Sequence, residues 1–153
     1  MEESNEVEWT REVPLHDPEL LELIQAIEPI TGLLKDVKYR SSTDGVCGLD
    51  ATLGKGDVVV MVMAQQDLLT LEILLGELRA TAENYATLLA HHREGPWWFR
   101  IDSVTDGMAA VVRECKLHRR ETPQLHQLIL DGLMEYWTAQ PLLEVLNGDF
   151  DRT

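Results

Sequence analysis

The spacing of apolar residues changes period several times along the chain, and those changes divide it into elements. Asp17-Pro18 offers an N-cap carboxylate followed by proline at the first helical position. Leu20, Leu23, Ile24 and Ile27 then follow at helical spacing, one apolar face. Pro29 should end this helix. The spacing resumes at Ile30, Leu33, Leu34 and Val37, which predicts a second helical piece, and Ser41-Ser42-Thr43-Asp44-Gly45 reads as a turn.

Beyond that turn the period drops to two. Cys47, Leu49, Ala51 and Leu53 alternate with Gly48, Asp50 and Thr52, the pattern of a half-buried strand. After Gly54-Lys55-Gly56-Asp57, the β-branched run Val58–Met63 is apolar on both faces and predicts a central strand. From Gln66 to His92, residues Leu68, Leu71, Leu75, Leu78, Ala82, Tyr85, Leu89 and His92 recur at steps of three and four. This predicts one long core helix, with a coiled-coil seam as the alternative; Leu69, Ile73 and Leu74 broaden its buried face. Gly95-Pro96 stops it.

Trp97, Phe99 and Ile101 alternate with Trp98, Arg100 and Asp102, a third strand. Thr105 or Asp106 is expected to cap a helix carrying Met108, Val111, Val112 and Cys115. Thr122-Pro123 opens a last helix with Leu125, Leu128, Ile129, Leu133, Tyr136 and Trp137 inward. Pro141 should interrupt it, and Asn147-Gly148 should close it. The expected fold class is α+β: a small, mainly antiparallel sheet of about three strands covered by four to five helices, in the order αα-ββ-α-β-αα. Residues 1–13 lack hydrophobic periodicity and read as an acidic arm on a single domain spanning 14–153.

Charge sharpens this picture. The 153 residues carry a net charge of −14, and residues 1–28 hold nine acids against one base, Arg11, more than half of that total. Such a surface repels nucleic-acid phosphates and attracts basic partners. The acidic N-terminus is unlike a signal peptide, and no apolar run is long enough to span a bilayer, so a cytoplasmic location with no membrane is expected. Two cysteines, Cys47 and Cys115, read as small core residues, not as a disulfide framework.

The candidate chemistries mostly fail on spacing. Gly48 and Gly54 are one residue too far apart for a phosphate-binding loop, Gly56 stands where its hydroxyl belongs, and a strand follows where a helix is required. Gly54–Asp57 is instead a hairpin loop with Lys55 at its tip. Cys115-x-x-His118 with His126 lacks the paired two-ligand elements of a zinc site, and His91-His92 point in different directions on a helix. No hydrolase signature occurs, although Asp44, Asp50, Asp57, Asp102 and Asp106 lie near strand ends, where a metal-dependent hydrolase would use them. Arg113, Lys116 and Arg120 would share a helix face, with Arg119 beside them, but the acidic remainder of the chain argues against direct nucleic-acid binding.

Interaction surfaces remain. In a strand the Trp97 and Trp98 rings point to opposite faces, so one serves the core while the other, beside Arg100, is free to anchor an interface unless helices cover both sides. The expected function is a non-enzymatic acidic interaction module that binds a basic protein: an inhibitor, an antitoxin or immunity-type factor, or a dedicated chaperone. Its expected contact residues are Glu2, Glu3, Glu6, Glu8, Trp9, Trp97, Trp98 and Arg100, with no catalytic, metal or cofactor residues. The alternative is a structural subunit of a homo-oligomeric or phage-type assembly, and a further alternative is a small metal-dependent hydrolase.

Overall fold

The computed structural model describes residues 9–43, 45–54, 58–91 and 95–151, and side chains up to residue 148 apart from those of residues 42 and 43. Within them the elements run α1 (Pro18–Ala26), β1 (Leu34–Thr43), β2 (Val46–Leu53), β3 (Val58–Gln65), β4 (Leu68–Arg79), α2 (Ala82–Ala90), β5 (Trp97–Thr105), β6 (Met108–His118) and α3 (Leu125–Asp151). Two 3-10 turns, Glu28–Leu33 and Arg119–Gln124, precede β1 and α3. The class is α+β, but the sheet has six antiparallel strands in the order β1-β2-β3-β4-β6-β5, so the expected three-strand sheet is wrong.

One helix and three strands form where the sequence places them: α1, the β2–β3 hairpin, and β5, the strand expected from Trp97. Asp17 caps α1, its Oδ1 accepting from the Leu20 N–H at 3.2 Å, and Leu20, Leu23 and Ile27 are buried. The β2–β3 hairpin pairs Leu53 with Val58 through Val46 with Gln65, and Cys47, Leu49, Ala51 and Leu53 face inward. Its Lys55 tip lies outside the described residues.

The other three strands replace predicted helices. The first half of the long helix expected over Gln66–His92 is β4: Leu69, Leu71, Ile73 and Leu75 alternate into the core, and Leu68 points out. A bulge between Leu74 and Gly76 then adds one residue, with Gly76 at φ 140°, so the next inward side chain is Leu78. That step of three inside a period of two is what imitates helical spacing. Only Ala82–Ala90 is helical, capped by Thr81, whose Oγ1 accepts from the Asn84 N–H at 3.1 Å.

The helix expected after Asp106 is β6. Asp106 and Gly107, at φ 54° and 79°, form a two-residue turn that pairs Thr105 with Met108, so β5 and β6 are a hairpin. The helical piece expected over Ile30–Val37 is a 3-10 turn followed by β1, where Asp36 at φ 55° marks a bulge. Ser41–Thr43 belong to β1, not to a turn. Finally, α3 runs through Pro141, which lies on its exposed side, and past Asn147-Gly148.

All the helical burial is on one face of the sheet. α3 approaches the sheet tightly at Gly132, where an added Cβ would lie 2.9 Å from the Ile73 and Trp97 side chains. The core joins Leu20, Leu23, Leu49, Val60, Leu71, Ile73, Leu78, Leu88, Leu125 and Ile129.

Candidate interaction face

The opposite face of the sheet carries no helix among the described residues. Strand register places Lys38 and Arg40 of β1, Asp50 of β2, Val59, Met61 and Met63 of β3, and Leu68, Glu72 and Leu74 of β4 on it. Val112, Glu114 and Lys116 of β6 and Trp98 and Arg100 of β5 complete it. Val59, Leu68, Leu74 and Trp98 are exposed on this face. Antiparallel sheets often leave one face to water, but such faces are ordinarily polar. A shallow concavity of about 230 Å³ lies between Met61, Met63, Leu68, Thr70, Glu72 and Glu114.

Arg100 is the centre of charge. Its Nη2 meets Glu72 at 2.7 Å, Nη1 meets Asp102 at 3.1 Å and Nε meets Glu114 at 3.2 Å. Three carboxylates therefore surround one guanidinium. Burial holds the Glu72 carboxyl above its ordinary range, and a hydrogen bond with Glu114 raises it further, against the lowering effect of Arg100. Asp50 is also raised by burial, with Lys38 opposing.

Trp97 and Trp98 take opposite faces, as strand geometry requires. Trp97 is 6% exposed and packs in the core, while Trp98 is 54% exposed beside Arg100. Neither family models, nor curated proteins, nor solved structures give a match to this chain. The reading of the face therefore rests on its own chemistry.

The described members of the expected contact set lie at two edges of the sheet. Glu2, Glu3, Glu6 and Glu8 lie outside the described residues. The segment after them is tied to the outer edge of β1, where Thr10 and Tyr39 exchange main-chain hydrogen bonds of 2.9 and 2.6 Å, and Trp9 is half-buried. Trp98 and Arg100 lie on β5, at the other edge of the sheet, about 24 Å away across five strand spacings. Thr10 and Trp98 are thus tied to opposite edges of the sheet.

The basic helix stripe does not exist either. In β6, Arg113 points to the helical side and Lys116 to the open side. Arg119 lies in the 3-10 turn, 3.4 Å from Glu19 and 3.7 Å from Glu22 of α1. Sequence reasoning also missed Glu72 and Glu114. Each had been placed inside a predicted helix, whereas period-two counting from Leu69 and from Val111 puts both on the outer face.

Proposed function

We propose that the chain is a non-enzymatic interaction module whose uncovered sheet face receives a basic segment of a partner protein. One observation carries this reading: Arg100 is outnumbered three to one by carboxylates at the border of an apolar, uncovered surface, next to an exposed Trp98. A partner Lys or Arg placed there supplies the missing positive charge and favours the ionised form of Glu72. Its apolar neighbours cover Met61, Met63 and Leu74. The inhibitor, immunity-type factor and dedicated chaperone expected from the sequence all share this step. The acidic N-terminal region speeds encounter with a basic partner.

The test is native mass spectrometry of the protein isolated from its own host, as wild type and as W98A and D102N variants. The expected result is a complex with a basic protein that W98A and D102N each weaken at least about tenfold. A complex that survives both substitutions, or self-association alone, overturns the reading.

A further inference from the structure

On the helical side, between β5 and α3, lies a separate cavity of about 420 Å³. Trp97, Phe99, Ala139 and Leu142 provide apolar walls, His91 and Thr138 stand in the lining, and one ion pair, Arg113 with Glu135, lies among them. Arg113 is 6% exposed, the only basic residue among the described residues of the buried layer, and nothing in the interaction-face reading uses it.

The geometry of this pair is incomplete in a specific way. Arg113 Nε and Nη2 both reach the same oxygen, Glu135 Oε1, at 2.9 Å. Nη1 donates to the Trp97 carbonyl at 3.3 Å, and the guanidinium lies 4.0 Å over the Phe99 ring centre. A guanidinium has five N–H donors, so two remain without a protein acceptor among the described residues. Glu135 Oε2 likewise accepts from no described residue. Donor and acceptor capacity is therefore left side by side at an apolar wall. The pair is electrically neutral, so a charged ligand would lose its hydration and find no uncompensated counter-charge.

We infer that this cavity binds an uncharged planar amide bearing an apolar group, its carbonyl accepting from Arg113 and its N–H donating to Glu135 Oε2. That chemistry occurs in free small amides and in the peptide units of an extended segment. The volume is within the range of small-ligand sites and holds one ring or one large side chain.

The experiment uses the full chain with W9F, W98F and W137F, leaving Trp97 as the only indole, and follows its fluorescence. The probes are benzamide, N-acetyl-phenylalaninamide, benzoate and benzamidine. Both amides should bind with Kd on the order of 1 mM, as fragments of this size do, and both charged probes at least about tenfold more weakly. The tighter amide distinguishes the two sources, a free small molecule from a peptide segment. T138F, at the exposed rim, fills the cavity mouth without adding an indole and should abolish binding. E135Q, which removes the counter-charge of Arg113, should tighten benzoate binding at least about tenfold. The proposal is overturned by no Trp97 response to either amide, by benzoate or benzamidine binding as tightly as the amides, or by E135Q leaving benzoate unchanged. Neither result bears on the sheet face, because W98F retains the protein without that anchor.

Discussion

Glu72 pays for its position on the open face with a proton. Burial raises its carboxyl above the ordinary value of 4.5, so between the two values the folded chain holds a proton that the unfolded chain has released. Its contribution to stability is fully present below 4.5 and is lost as pH rises through the folded value. E72Q cannot ionise, so its stability relative to wild type should increase as pH rises from the acid side of 4.5 toward neutrality. Urea midpoints across that range measure this, and parallel curves for the two proteins would contradict it. Cys115 is raised to about 11 by burial, with nearby carboxylates adding to the effect. Its thiol should therefore resist an aromatic disulfide reagent in the native protein at mildly alkaline pH and react on denaturation. Gly132 makes a third case. Alanine there gains helix propensity of up to about 1 kcal/mol, but its Cβ meets Ile73 and Trp97 at 2.9 Å. The net effect of G132A should be a loss of about 1–3 kcal/mol, read from chemical denaturation.

At the scale of elements, the β4 bulge and α3 depend on one another. The extra residue Leu75 leaves the ladder, and its carbonyl accepts from Gln140 Nε2 of α3 at 2.9 Å. Two turns further along, Asn147 Nδ2 donates to the Glu77 carbonyl at 2.8 Å, and Asn147 Oδ1 accepts from the Arg79 N–H at 3.2 Å. The end of α3 thus supplies hydrogen bonds that the irregular strand lacks. Q140A should cost about 1–2 kcal/mol, with amide exchange rising first in residues 74–79, because a part-buried carbonyl loses its donor.

The same elements show what was legible. The β2–β3 hairpin could be read because its alternation is unbroken and its loop is rich in glycine. The bulge hid β4, since the step from Leu75 to Leu78 matches a helical turn. β1 was hidden by its position at the edge: only Leu34, Val37 and Tyr39 are apolar, too few to show a period. Asp106-Gly107 did carry a signal, being a strong hairpin dipeptide read as a helix cap. At the candidate face, Trp98 and Arg100 were legible from strand spacing alone. Their partners Glu72 and Glu114 were not, because they come from strands 28 and 14 residues away in sequence.

The whole molecule separates its tasks by surface. One face of the sheet is buried by α1 and α3, the other carries no helix among the described residues, and residues 1–28 hold most of the negative charge. If that segment only steers encounter, deleting residues 1–13 should slow association with the partner about tenfold at low salt and leave dissociation nearly unchanged. Stopped-flow kinetics at two ionic strengths would measure it, and a change confined to dissociation would contradict it.

The strand order has a consequence for biogenesis. β6 lies between β4 and β5, yet it is made after both. While the chain emerges, the β1–β4 meander can close by successive hairpins, but the Leu68–Arg79 strand keeps one long apolar edge unpaired until His118 has been synthesised. A nascent edge of this kind is a template for another copy. Slow translation over residues 80–107 should therefore send more chains to inclusion bodies than the same delay placed after residue 118, and the soluble fraction at synonymous-codon pauses would report it.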